Sequence, residues 1–502
     1  MEELIQLIKI ISPNKVKSLE LVYSGQGQGS KIQQLYRSLA EDDSTPEEEL
    51  VSKFYKGRNR KVYFNRLKRE LKGRLINTLF LIDAGGPGYS EVASAYYNCY
   101  KNSTAIKVLL ARGARQVAIR LAEDTLKHAE HFEFTDVLLS LSKDLRFHYG
   151  TILGDKKMFD LFNSKVGHYS QVYLAELKAE EYYTSLALTF TVSGAAKTEF
   201  TGQAERYALE MEKAMAQYHS YRLNLYAFTV IALRYEMAND HENTIATCRR
   251  AVAYFENKQH LASRQALFNF YFRMIPGYAL LGRIEEGTEA ALQCLDWVDK
   301  GLFNWFRVME FLFILYLHSE KYQSAYEVYK EVTEQKHFSK QYSAIQEVWY
   351  INEAYLYYFM SMGIIEVGEE DSIRKFRASR FLNEVPTYAK DKRGNNIAIL
   401  ILQVLFLLQQ QQYGKIIDRV ESLRTYTHRY LRRDETFRSN CFIKMLTQLP
   451  AANFHKVAVI RRARKYWEKL QSVGIIHNQS LELEAVPYEK LWQFVLESLE
   501  GN

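Results

Sequence analysis

The chain has 502 residues, 47% apolar, 14% aromatic and 25% charged, a composition that buries a large core and excludes the disordered and collagen-like classes. Its 7 prolines fall well below the average of about 5%, which excludes a turn-rich all-β architecture and favours long helices. The net charge of +7 is unevenly spread: residues 53–74 hold ten basic residues and one acid, residues 424–469 hold twelve and three, and the rest of the chain sums to −11.

Two basic islands against an acidic body suit an anionic partner, or a solvated helix face, or pairing of the islands with that body. Cys99, Cys248, Cys294 and Cys441 are isolated, so no CxxC knuckle or disulfide framework is available, and a reducing compartment fits. Glu2 and Glu3 stand where an export signal needs Lys or Arg. The most apolar run, residues 397–408, is broken by Gln403 and is shorter than the roughly 18 residues a bilayer requires. The expectation is a soluble, cytoplasmic protein with no membrane partner.

Residues 1–83 read as a basic helical module. Ser12 before Pro13, and Thr45 before Pro46, Glu47 and Glu48, are helix-start signals, and Gly25 after Ser24 closes a helix. Over residues 61–82, Leu67, Leu71, Leu75 and Leu79 recur every four residues with Arg66, Arg69, Lys72 and Arg74 between them. That spacing predicts one long amphipathic basic helix. Residues 83–88, with Gly85, Gly86, Pro87 and Gly88, then break the chain.

From residue 89 onward, helical patterns alternate with short polar turns, and one template recurs around Tyr235, Tyr278 and Tyr316. Four residues after each tyrosine comes a turn, at Asn239, Gly282 or Glu320. Small or apolar residues follow at Thr244, Cys248 and Ala251, at Gly287, Ala291 and Cys294, and at Ala325, Tyr329 and Val332. These are predicted to face the partner helix of a hairpin. Weaker copies turn at Gly113, Gly154 and Gln411, and the wider gaps leave room for units over residues 180–217 and 348–380. The prediction is about eight hairpins over residues 89–425, closed by a C-terminal helical cap over 426–502.

This pattern, best seen in Phe228, Ile231, Ala232 and Tyr235 and in Leu312, Tyr316, Tyr322, Ala325 and Tyr329, resembles the tetratricopeptide repeat (TPR) family, whose period is about 34 residues. The resemblance implies an all-α, right-handed α-solenoid of TPR-like hairpins, without enzymatic activity, cofactor or metal, that binds a partner protein or peptide as a scaffold, adaptor or regulatory sensor. It implies a groove lined by the first helix of each hairpin: Tyr226, Thr229, Leu233 and Glu236, then Asn269, Phe272, Pro276 and Ala279, then Arg307, Glu310, Ile314 and Leu317. Arg307 and Glu310 are expected to be exposed there. A groove of this mixed character suits a helix or an extended peptide. The layout also resembles bacterial regulators that join an N-terminal helix-turn-helix to a TPR-like sensor. On that alternative the protein binds nucleic acid through Arg58, Arg60, Lys61, Arg66, Arg69 and Lys72, and through Arg461, Arg462, Arg464 and Lys465.

Other motifs read as structure. The run from Gly25 to Lys31 lacks the Gly-Lys-Ser/Thr order and the strand-to-helix context of a phosphate loop. His128 and His131, three apart near Glu130 and Glu133, give two metal ligands without a third. The 36 tyrosines, clustered at Tyr96 and Tyr97, Tyr182 and Tyr183, and Tyr355, Tyr357 and Tyr358, are expected to pack between helices rather than stack nucleobases.

Overall fold

Helices with an apolar stripe bury it against one another, and this chain does so in series. The computed structural model describes residues 1–11, 30–42, 44–82, 90–192, 201–258, 261, 264–336, 338–341, 343–383, 395–430, 437–473 and 484–499. Among them there is no strand, and consecutive helices pack against each other. The expected caps at Ser12 and Ser24, the glycines of residues 25–29 and the linker at residues 83–88 lie outside the described residues. The chain divides into two compact units, Met1–Tyr173 and Leu174–Asn502.

The first unit opens with four helices, α1 (Glu2–Ile11), α2 (Lys31–Glu41), α3 (Glu47–Phe54) and α4 (Arg60–Leu79). Leu67, Leu71 and Leu75 are buried with Phe64, Ile8, Leu35 and Leu50, as the leucine spacing predicts. Leu79 is only partly buried, because a four-residue row drifts around a helix of 3.6 residues per turn. Ser30 forms a capping box with Gln33 at the start of α2, so the end of the glycine-rich run is a helix start. The expected cap at Thr45 is corrected. Pro46 is the N-cap of α3, without a side-chain bond, and Thr45 and Ser44 instead donate to the Asp42 carboxylate. Helices α5 (Glu91–Ala111), α6 (Arg115–His131) and α7 (Thr135–Phe147) follow, and Ala118, Ala122 and Ala129 are buried where α6 meets its neighbours. A π-helical turn, His148–Leu153, leads into α8 (Lys156–Val192).

The second unit begins within α8 and continues through α9 (Thr201–Gln217), α10 (Tyr221–Met237), α11 (His241–Glu256), α12 (Arg264–Leu280), α13 (Ile284–Leu295), α14 (Phe303–His318), α15 (Tyr322–Thr333) and α16 (Ser343–Ser361). It ends with α17 (Ala378–Asn383), α18 (Asn395–Gln409), α19 (Tyr413–Tyr430), α20 (Phe437–Leu446), α21 (Gln448–Ala451), α22 (Lys456–Gln471) and α23 (Tyr488–Glu497). The small and apolar template residues of the three copies, Thr244, Cys248 and Ala251, Gly287, Ala291 and Cys294, and Ala325, Tyr329 and Val332, are buried.

One turn recurs through both units. In the left-handed C-cap of a helix, the residue after the turn donates its N–H back to a carbonyl five positions earlier. Asp240 donates to Tyr235, Arg283 to Tyr278 and Lys321 to Tyr316, at 2.8–2.9 Å. The template tyrosine is therefore the acceptor, and the predicted turn residues Asn239, Gly282 and Glu320 take positive φ, as do Gly113, Gly154 and Gln411. The same bond runs from Ile364 to Phe359 and from Phe134 to Ala129, around Gly363 and Glu133 at positive φ. Gly363 supplies a turn inside the gap left over residues 348–380; the turn at Glu133 is one the sequence reading missed.

The apolar run 397–408 lies in α18, where Ile401, Leu402, Val404, Leu405 and Phe406 are wholly buried, as expected of a helix apolar on every side. Gln403 within it donates to the Phe381 carbonyl at 3.0 Å. No helix among the described residues is long and apolar enough to cross a membrane.

Candidate partner-binding wall

The first helices of successive hairpins, α10, α12 and α14, bring the groove-offset residues of the second unit side by side. Polar and aromatic pairs link them from one hairpin to the next. Arg222 donates to Glu180 of α8 at 2.7 Å, and Tyr226 lies 5.6 Å from Tyr183 between ring centroids. Asn269 donates to Thr229 at 3.3 Å, Arg273 donates to Glu236 at 2.9 and 3.2 Å, and Phe272 meets Phe311 edge-on at 5.3 Å. Arg307 reaches Glu310 at 2.5 Å. Burial works against the charge of Arg273, and the Glu236 carboxylate more than offsets it, so the guanidinium is held above its ordinary pKa. Burial likewise pushes the Tyr226 phenol up, helped by Glu180.

Tyr226, Glu236, Asn269, Phe272, Pro276 and Arg307 keep part of their surface open. Pro276 sits inside α12 and has no N–H, so the Phe272 carbonyl lacks its helical donor on this wall. The other groove-offset residues are not open, which corrects the expectation. Thr229, Leu233, Ala279, Ile314 and Leu317 are buried, and the Glu310 side chain is 9% exposed against 23% for that of Arg307. Burial pushes the Glu310 carboxyl above its ordinary range, with Arg307 opposing. Arg307 and Glu310 are thus a half-buried ion pair rather than two exposed charges.

The physical reason at the end of α14 is the tail of the chain itself. His318 Nε2 donates to the Glu484 carbonyl at 2.6 Å, and Lys490 pairs with Glu320 at 2.7 Å. Phe494 of α23 packs on Tyr322, Tyr358 and Phe359. Beside it Arg438 is buried, held by Glu484, Glu489 and the Leu470 and Val473 carbonyls at 2.7–3.1 Å. The predicted terminal cap contains this buried guanidinium, and α23 turns back onto α15 and α16.

Arg222, Arg273, Glu180 and Tyr183 join the wall but were missed in the sequence. Arg273 lies five residues before Tyr278 and Glu236 one after Tyr235. Opposite charges at these two offsets in consecutive copies were the available signal.

The basic residues of α4 divide into two groups. Lys61 pairs with Glu48 at 3.3 Å, Lys72 with Glu3 at 2.6 Å, Arg74 with Glu70 at 2.9 Å, and Lys68 with Glu47. Arg60 donates to Ser52 at 3.2 Å. Arg58, Arg66 and Arg69 are exposed and make no ion pair among the described residues. In α22, Arg464 pairs with Glu468 at 2.8 Å and Lys465 lies over the Tyr466 ring, while Arg461 and Arg462 are exposed. Glu130, near His128 and His131, is engaged by Lys165 and Tyr169. Among the described residues no group of three His, Cys, Asp or Glu side chains is placed to hold a metal ion. All four cysteines are free and buried; burial pushes the Cys99 thiol up to about 11 and that of Cys294 to about 12.

The chain matches no protein-family model, no curated protein and no solved structure.

Proposed function

We propose that the second unit is a TPR-like array whose wall, from α10 to α14, binds a partner protein or peptide, so that the chain works as a scaffold, adaptor or regulatory sensor. The observation that carries this reading is the continuity of the wall. Tyr226, Phe272 and Arg307, on three successive first helices, each leave surface open beside polar groups already fixed by neighbours. Pre-fixed side chains lose little entropy on binding, and half-buried aromatics with arginine are the side chains that dominate protein interfaces.

The test is site-specific photocrosslinking in the native host. A benzoylphenylalanine at Tyr226 or Phe272 is expected to capture one protein reproducibly, whereas the same group at the exposed Leu292 of α13 captures none of it. Identical adducts from wall and control sites, or none from the wall, defeat the proposal.

A second reading, nucleic-acid binding through the first unit, is favoured by one observation, the exposed and unpaired Arg58, Arg66 and Arg69 of α4 and its approach.

A further inference from the structure

A cavity of about 390 Å³ opens between α15 and α16, within the range of about 300–1,000 Å³ that small ligands occupy. Its lining is unusual in chemistry. Phe338 and Tyr350 supply partly open aromatic surface, the buried Tyr329 and Trp349 back it, and Glu347 and Glu353 supply two carboxyls. Neither glutamate pairs with a basic side chain among the described residues. Glu353 is coupled to Tyr329, which works against the effect of burial on its carboxyl.

The cavity is built by the helices and not by chance surface relief. Glu347, Tyr350 and Glu353 are three apart on α16, on one face of the helix. Tyr329 and Trp349 stand 6.4 Å apart between centroids at 45°, and Trp349 is held from behind by Phe313 at 5.6 Å. Gln346 clamps the connecting loop by donating to the Ser339 and Gln341 carbonyls at 3.1 and 3.0 Å, while Phe338 rests 6.1 Å from Phe306. The Trp349 indole N–H is buried and has no hydrogen-bond partner.

Carboxyls set among rings and left without a counter-cation are costly unless something positive is brought to them. Burial alone pushes the Glu347 carboxyl above its ordinary range, and burial does the same to Glu353, with Tyr329 opposing. Aromatic faces attract a cation through their quadrupoles, and a methylated ammonium adds apolar surface that rings bury well. An ordinary metal ion would want more oxygen ligands than two carboxyls supply.

We propose that this cavity binds a methylated alkylammonium group, with Phe338 and Tyr350 as its aromatic walls, Tyr329 and Trp349 packed behind them, and Glu347 and Glu353 as its counter-charges. Two sources carry that group: a free quaternary amine, or the trimethylated lysine of a peptide. The pocket stands apart from the wall, so failure of the crosslinking at Tyr226 and Phe272 leaves it intact.

Calorimetric titration of the full chain tests it, with tetramethylammonium, choline, a trimethyllysine peptide and the uncharged choline isostere 3,3-dimethylbutanol as probes. At least one charged probe is expected to saturate, and the isostere is not. Tighter binding by choline points to a free amine, and tighter binding by the peptide to a modified partner. Glu347→Gln and Glu353→Gln, which keep shape and hydrogen-bonding capacity, should each weaken the charged probe by about tenfold or more, with thermal midpoints near the wild type. No saturable binding of any charged probe, equal binding of the isostere, or unchanged affinity in both variants would overturn the proposal.

Discussion

Glycine does two different jobs five residues apart in one hairpin. Gly282, at φ 70°, turns the chain between α12 and α13, and a Cβ there would meet nothing within 4 Å. Gly287 has an ordinary helical backbone, yet a Cβ there would sit 3.0 Å from Leu315 Cδ2 and 3.1 Å from Tyr278 Cβ. Alanine at 282 is therefore expected to cost about 1 kcal/mol through backbone strain alone. Alanine at 287 gains up to about 1 kcal/mol of helix propensity but overpacks a site whose Tyr278 Cβ cannot swing aside, at about 1–3 kcal/mol; the net is a loss. Urea denaturation of Gly282→Ala, Gly282→Asn and Gly287→Ala separates the two causes. Asparagine, which tolerates the left-handed region, should recover much of the loss at 282, and a gain in stability from Gly287→Ala would refute the packing argument. Both roles were legible in the sequence, because a turn position and a small-residue position each recur at fixed distance from the template tyrosine. The burial of Glu310 was not legible. Its offset matches an exposed wall position in the repeat pattern, and only the fold buries it beside Arg307.

Among the elements, the tail from Glu484 through α23 is the one whose position departs most from expectation. Its apolar face, with Leu491, Trp492 and Val495 buried, looks in sequence like any terminal cap. Which surface it covers depends on Arg438, and a single arginine among twelve basic residues of its island gives no sign of burial. A buried guanidinium stripped of one partner leaves uncompensated charge, so such pairs lock one arrangement even where they add little net stability. His318 joins the same junction. Burial holds its pKa below the ordinary value, with the Glu484 carbonyl and Glu489 opposing and Arg438 assisting. The unfolded chain consequently takes up the proton first as pH falls through about 6.5, and the stability tied to neutral His318 is present above that value and lost below it. The buried His148, also held low by desolvation, contributes in the same direction. The histidine contribution to stability from urea unfolding is expected to be smaller at about pH 5.5 than at about pH 7.5, while the raised carboxyls of Glu310 and Glu484 act in the opposite direction. His318→Gln keeps an N–H for the Glu484 carbonyl and should shrink that difference, leaving the share due to His148. An identical pH dependence in variant and wild type would remove His318 from the account.

At the scale of the whole molecule, the helical-repeat character was legible because its signals are local and repeated: helix period, turn residue, small residue. The charge islands were visible as well, but not their chemistry, since net charge does not reveal which cations already have partners. In the first unit Glu3, Glu47, Glu48 and Glu70 answer four of the cations of α4, all through exposed or partly exposed pairs that individually add little stability. Arg58, Arg66 and Arg69 are left to meet an outside anion. If they meet nucleic acid, each phosphate contact releases condensed counterions and adds about 0.9 to the slope of log affinity against log salt on duplex, or about 0.7 on single strands. Replacing all three by alanine would then flatten the slope by those amounts, with little effect on folding because exposed charges away from the core shift stability by about 0.5 kcal/mol at most. If the wall of the second unit is instead where the protein works, wild type and triple variant should bind nucleic acid equally weakly and with the same shallow slope, because the paired lysines remain neutralised in both. The shallow, unchanged slope is the expected outcome. Tight binding by the wild type, steep in salt and lost in the variant, would shift the centre of function from the repeat array to α4.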